Sequence, residues 1–234
     1  VFVAGGSRGI GRACAEAFRD LGHPVAATWR REQPEPVDGI LDVRCDVRSS
    51  DEVRAAVTEA EERLGPVLVA VANAGIMRNA LVNRLSEEAW NDVIDTNLTG
   101  AFRVLQATLP AMISARWGRV VLISSAGAQT GYRGQANYIA SKTGLLGLAR
   151  TTSREWGARG ITTNVVAPGL VPTLMTSEVE RWDDIATHIP LGRLGTGADI
   201  AAAVTFLASE EAAYITGANL PVDGGISMGY AGPS

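Results

Sequence analysis

The sequence has almost no lysine. Of its 21 Lys and Arg residues, all but Lys142 are arginines. It is also poor in residues that bind metals or cross-link chains. The 2 cysteines, Cys14 and Cys45, are far apart and form no C-x-x-C motif, and the 2 histidines, His23 and His188, are isolated. This composition excludes a disulfide framework and supplies no metal-ligand cluster, so a cytoplasmic location is expected. No apolar run approaches the length of a membrane span, and none has the layout of a secretory leader. A formal net charge of −4 gives no general pull toward nucleic acid. Val1 already lies inside an apolar run, which predicts that the given sequence begins within a longer chain.

The chain has 234 residues, 46% hydrophobic and 20% charged, which suits one globular domain over residues 1–234. Short apolar or β-branched runs at 1–4, 25–28, 39–47, 67–75, 118–125, 160–169 and 217–225 read as strands. Amphipathic segments at 11–22, 49–65, 86–115, 137–157 and 197–209 read as helices, with Ser49 and Ser86 as caps. The Pro-rich segment 32–39 reads as a surface loop, and 172–195 as a helical excursion. This alternation predicts an α/β fold: a doubly wound parallel sheet of about seven strands with helices on both faces. That architecture alone leaves function open.

The opening "VFVAGGSRGIGRA" places a glycine-rich loop between a strand and a helix. Small residues there permit a tight turn and let backbone amides at a helix N-terminus approach a pyrophosphate. The spacing Gly5-x-x-x-Gly9-x-Gly11 differs from G-x-G-x-x-G, so its position carries the argument for nucleotide binding. At the end of the second strand, an acid would suit a ribose 2′-OH and a cation a 2′-phosphate. Here Trp29 is followed by Arg30 and Arg31, with no acid, and Arg8 lies in the glycine loop. This predicts NADP(H), against the competing reading of ordinary solvated arginines.

The lone lysine falls in "ANYIASKTG", four residues after Tyr138. On a helix, i and i+4 share a face. An ammonium 4 Å from a phenolate at an effective dielectric near 20 is worth about 4 kcal/mol, roughly three pKa units. Lys142 is therefore expected to pull the Tyr138 phenol, ordinarily near 10, toward the range useful for proton transfer. Many helices carry such a pair without using it, and the arginine preference of the chain is what singles this one out. "LISSAG" places Ser124 and Ser125 at the carboxyl end of a strand, where either hydroxyl can hold a substrate carbonyl or satisfy a turn.

With "GGSRGIG", "CDV", "ANAG", "DTNLTG", "ISS", "YIASK" and "VAPGLVPT" in this order, the sequence resembles the short-chain dehydrogenase/reductase family over essentially its whole length. Within that family it is most similar to 3-oxoacyl-(acyl-carrier-protein) reductases of the actinobacterial type, through "GQANYIASKTG", "NVVAPG", "TNLTGAF" and "ITGANLPVDGG". The resemblance implies a Rossmann-type fold and a catalytic set of Asn97, Ser125, Tyr138 and Lys142. Tyr138 would be the proton donor and Lys142 would bind the nicotinamide ribose. Asn97 would kink its helix and hold a relay water. Ser125, 13 residues before Tyr138, would orient the substrate.

Cofactor contacts are implied at Gly5, Ser7, Arg8, Gly9, Ile10, Gly11, Arg30, Arg31, Asp46, Val47, Asn73, Ala74, Gly75, Tyr138, Lys142, Pro168, Gly169, Val171 and Thr173. No metal is implied. Three positions depart from the family pattern: Ala4 stands for a threonine, Ala72 for the first asparagine of the sheet-bracing motif, and Leu174 for an acid. The implied activity is NADPH-dependent reduction of a 3-oxoacyl thioester, with residues 172–195 as substrate lid and a homotetramer as the assembly. Arg116 and Arg159 match positions that dock the acidic carrier protein. The alternatives are a related NADP-dependent enzyme acting on a polyketide or other small carbonyl, and a non-catalytic NADP-binding sensor.

Overall fold

A computed structural model describes residues 1–173 and 182–228. Among the described residues, seven strands form one sheet: β1 (Phe2–Ala4), β2 (Val25–Trp29), β3 (Ile40–Arg44), β4 (Val69–Ala72), β5 (Gly118–Ile123), β6 (Ile161–Pro168) and β7 (Asn219–Val222). Their order is β3-β2-β1-β4-β5-β6-β7, and every pairing is parallel. The chain winds outward from β1 to β3, then returns to the other side of β1 at β4. The carboxyl ends of β1 and β4 therefore flank a topological switch point, where such sheets open a ligand crevice.

The helices are α1 (Gly9–Asp20), α2 (Ser50–Leu64), α3 (Glu87–Ile94), α4 (Gly100–Ala115), α5 (Gly127–Thr130), α6 (Ala136–Trp156), α7 (Trp182–Ala186) and α8 (Gly197–Leu207). Side chains alternate along each strand, so the sheet buries two separate cores. Phe2, Ala70, Val120, Leu122 and Val165 pack on one face against Val53 and Val57 of α2, Val104 and Leu105 of α4, and Leu145 of α6. Val3, Val71, Val121 and Val166 pack on the other against Cys14 and Phe18 of α1 and Ile200 and Val204 of α8.

Local chemistry marks the helix ends. The Ser49 hydroxyl accepts from the Glu52 amide at α2, and the Ser86 hydroxyl from the Ala89 amide at α3. Thr196 and Asp199 form a reciprocal capping box at α8.

The structure refines the sequence expectations in several places, among them the following. The segment 86–115 reads as one helix by its pattern, but a π-helical turn over Asp95–Thr99 joins α3 to α4, at the Asn97 where the resemblance implied a kink. The wider turn carries Asn97 with its side chain bonded inward, and such turns recur at functional sites. The run 118–125 leaves the sheet after Ile123, so Ser124 and Ser125 open the following turn. Of the expected excursion at 172–195, the structure shows α7 and the turns to Gly195, while Leu174 and the rest of 174–181 lie outside the described residues. Among the described residues no helix is long and apolar enough to cross a membrane.

Candidate active site

The glycine loop meets the β4 loop at the switch point. A Cβ added at Gly5, where φ is +76°, would lie 2.7 Å from the Ala74 Cα. One added at Gly11 would fall 2.1 Å from the Gly5 carbonyl oxygen. Only glycine allows these approaches. Asn73 Nδ2 donates to the same Gly5 oxygen at 2.7 Å, and the Thr28 hydroxyl on β2 accepts from the Gly5 amide at 2.9 Å.

Arg8 is exposed as the residue capping α1, Ser7 is partly exposed, and Ile10 packs into the α1–α8 core. The loop after β6 lies close by. The Thr173 methyl is 3.3 Å from where a Gly9 Cβ would stand, Gly169 packs on Asp223, and Val171 is buried beyond Pro168.

At the sheet's outer half, Arg30 leaves the end of β2 with its Nη1 3.9 Å from Asp46 Oδ2. Arg48 holds that oxygen at 2.7 Å. Burial tends to raise the Asp46 pKa, but the hydrogen bonds and charge of Arg48, with Arg30 behind, hold it below the usual carboxylate range. Val47 is buried against Gly100 of α4, and Arg31 is exposed. This strip fits a dinucleotide: a side-chain-free cradle before a helix, no acid at the end of β2, and guanidinium groups in its place.

The other half of the site is built on β5 and α6. The Ser124 hydroxyl donates to the Lys142 carbonyl oxygen at 3.0 Å, which ties α6 to the strand end. The Ser125 hydroxyl instead accepts from the Gly127 amide at 3.2 Å, and its side chain lies close enough to the Tyr138 phenol to favour the ionised form. Lys142 is 4% exposed, with Nζ donating to the Ile123 carbonyl oxygen at 2.7 Å and lying 5.8 Å from the Tyr138 ring centroid. Asn97 is 1% exposed. It bonds both backbone groups of Ile76 and the Ser141 hydroxyl. Gly75 fills the slot between them: an added Cβ would be 3.3 Å from Asn97 Oδ1 and 3.4 Å from Lys142 Nζ.

The expected electrostatics of the pair need correction. Burial pushes the Tyr138 phenol up to about 12, against the opposing hydrogen bond from Ser125, although the residue keeps some accessible surface. Burial also brings Lys142 down to about 8. Desolvation outweighs their mutual attraction, because both charged forms lose water and the ammonium is directed to a backbone carbonyl. Tyr138 is thus a neutral phenol across the physiological range, the form that can donate a proton.

Sequence reasoning missed three residues. Ser141 bridges Asn97 to the Tyr138 carbonyl oxygen, donating to it at 2.6 Å. Asn137, fully buried, donates to the carbonyls of Arg78 and Ala89 and fastens the start of α6 to the β4–α3 region. Arg48 grips Asp46. The first two sit inside the quoted "ANYIASK" stretch, and a polar residue on the buried face of that helix was the available signal.

Arg116 and Arg159 do not join this site. Arg116 caps the end of α4 before β5, and Arg159 ends the turn before β6. Both therefore lie at the amino ends of parallel strands, about 20 Å of strand away from the Ser125–Tyr138 edge. They adjoin each other there: a Cβ added at Gly160 would lie 2.6 Å from the Arg116 carbonyl oxygen.

A glycine cradle at the switch point, facing a tyrosine–lysine helix across β4 and β5, defines a dinucleotide-binding oxidoreductase site. A family model described as enoyl-(acyl carrier protein) reductase matches residues 4–227. The chain is 47% identical over 98% of its length to 3-oxoacyl-(acyl-carrier-protein) reductase MabA of Mycobacterium avium, covering 90% of that protein. The figures are 47% and 93% of the relative for MabA of Mycobacterium tuberculosis, and 41% and 97% for the reductase FabG of Staphylococcus aureus. The chain belongs to the short-chain dehydrogenase/reductase family. It is accordingly an oxidoreductase acting on CH–OH groups with a nicotinamide cofactor.

Proposed function

We propose that this chain reduces a 3-oxoacyl thioester to the 3-hydroxyacyl form with NADPH, in fatty acid biosynthesis. The observation that carries the reading is the gathering of Ser125, Tyr138 and Lys142 at the carboxyl edge of the sheet, with the Lys142 ammonium anchored on the Ile123 carbonyl and 5.8 Å from the Tyr138 ring centroid. The names of the relatives support the substrate class. The glycine loop, Asn73–Gly75, Asp46–Val47 and the loop from Pro168 to Thr173 would hold the cofactor, with Arg8, Arg30 and Arg31 available to its 2′-phosphate. NADPH bound there supplies hydride to the carbonyl carbon.

The chain's own part is to manage the oxygen. Negative charge grows on it, and the Ser125 and Tyr138 hydroxyls stabilise that charge before Tyr138 gives up its proton. The product is the alcohol, and the thioester is untouched. Lys142 keeps a positive charge beneath the phenol while it is depleted of its proton. Asn97 and Ser141 fix the position of α6 against the β4 loop.

Residues 1–234 act as one catalytic domain in this reading. A carrier-borne substrate would bring an acidic partner, for which Arg116 and Arg159 are docking candidates. Both lie at the far edge of the sheet, so a carrier held there would serve the site of a neighbouring copy. A homotetramer using the long helices α4 and α6 supplies such a copy, with Phe102 of α4, 46% exposed, as an apolar contact.

The description of the matching family model favours a second reading, reduction of an enoyl thioester. NADPH-oxidation assays with acetoacetyl thioester, crotonoyl thioester and simple ketones separate the two. The expected outcome is the highest kcat/KM for the acetoacetyl thioester. Preference for crotonoyl thioester would replace the proposal with the second reading. Tight NADPH binding without turnover of any substrate would support a sensor instead.

A further inference from the structure

Two guanidinium groups compete for the Asp46 carboxylate. Arg48 takes nearly all of it. Its backbone amide donates to Oδ1 at 3.0 Å, its Nε lies 3.1 Å from both oxygens, and its Nη2 holds Oδ2 at 2.7 Å. Arg30 is left at the edge, 3.9 Å from Oδ2, beyond hydrogen-bonding distance. Arg48 has a second anchor, Asp92 of α3 at 3.5 Å, which also faces Arg78 at 3.6 Å.

Among the described residues, Arg30 is the other cation paired with Asp46, and it would remain if Arg48 were removed. Arg30 would close on it in a charge-assisted pair. That pairing would engage the donors of Arg30 and leave the carboxylate's charge facing an incoming phosphate.

We infer that Arg48 is a positioning residue for coenzyme choice: by occupying Asp46 it keeps Arg30 free for the 2′-phosphate, and so sets the preference for NADPH over NADH. The inference rests on the reading of Arg30 as the cation that meets the 2′-phosphate. Arg48 itself need not touch the cofactor.

The test is steady-state kinetics of the full chain with each coenzyme, on Arg30→Gln, Arg48→Gln, Asp92→Asn and the double variant Asp46→Asn/Arg48→Gln. Arg48→Gln is expected to lower the NADPH-to-NADH ratio of kcat/KM by about threefold or more, the scale of one partly exposed charge pair. The loss should appear in KM for NADPH, with kcat unchanged. Asp92→Asn should leave the ratio as it is. Adding Asp46→Asn to Arg48→Gln should restore it, because no carboxylate remains to capture Arg30.

An unchanged ratio in Arg48→Gln alongside a fall in Arg30→Gln overturns the inference while keeping the NADPH reading. An unchanged ratio in Arg30→Gln removes Arg30 as the cation at the 2′-phosphate and overturns the inference, whereas a wild-type preference for NADH overturns the NADPH reading itself. An equal fall in Asp92→Asn, or no rescue in the double variant, assigns the effect to the link with α3 and also overturns the inference.

Discussion

Asn97 grips Ile76 at both ends of one residue's backbone: its Oδ1 accepts from the Ile76 amide at 2.8 Å, and its Nδ2 donates to the Ile76 carbonyl at 3.0 Å. Through Ser141, the same amide group reaches the backbone of Tyr138. The π turn, the loop after β4 and the tyrosine helix are thereby held as one piece.

Asn97→Ala leaves a buried amide and carbonyl without these partners. The expected cost is about 2 kcal/mol of unfolding free energy. The same variant should lose kcat more than it raises KM, since α6 loses its registration. Chemical denaturation and steady-state kinetics check the two parts separately.

Lys142→Arg conserves charge but should lose at least about tenfold in kcat, a barrier increase of roughly 1.4 kcal/mol. The pocket around Nζ is closed by the Ile123 carbonyl and by Gly75, with Asn97 on the far side of that glycine. A planar guanidinium is broader than the ammonium and cannot place a single donor on the Ile123 carbonyl in the same compact geometry. Near-normal kcat would mean that the lone lysine is an accident of composition.

The buried ammonium also has a signature in stability. Burial brings the Lys142 pKa down to about 8 in the folded chain, from its ordinary value of 10.5. Between those pH values the unfolded chain binds more protons, so folding gains stability as pH rises. The penalty for burying the charge is fully present below pH 8. Cys14 and Cys45, pushed up to about 12 by burial, act in the opposite sense above pH 9. Comparing wild type with Lys142→Met between pH 8 and 9 isolates the effect. Wild type should gain stability over that interval relative to the variant, and parallel curves would contradict the burial.

Charge reversal at both Arg116 and Arg159 is expected to raise KM for a carrier-bound 3-oxoacyl substrate and to spare a free thioester analogue. Equal effects on both substrates would count against docking. Since the pair lies at the opposite edge of the sheet from Tyr138, a direct effect on chemistry in the same chain is not expected.

The number and parallel type of the strands were legible because apolar runs alternated with amphipathic ones, and the Tyr138–Lys142 face followed from helical periodicity alone. Arg116 and Arg159 were placed before strands, but their distance from the Tyr138 edge was read only from the structure. The π turn at "DTNLT" carries no periodic signal, because one extra residue in a turn leaves composition unchanged. The pKa directions were missed for a different reason. A pairwise charge argument sees two residues four apart, whereas the outcome depends on how completely the rest of the chain excludes water from both. The hold of Arg48 on Asp46 joins residues two apart, yet its meaning depends on Arg30 arriving from another strand.

The Thr28 hydroxyl on the Gly5 amide has an implication for redesign. Thr28 lies one residue before Trp29, at the end of the strand where coenzyme choice is read. Anyone recoding that preference by transplanting the terminus of β2 from another protein would also be editing the brace of the pyrophosphate turn. Grafts that begin after Thr28 should alter selectivity alone, whereas grafts that replace it should weaken the grip on either coenzyme.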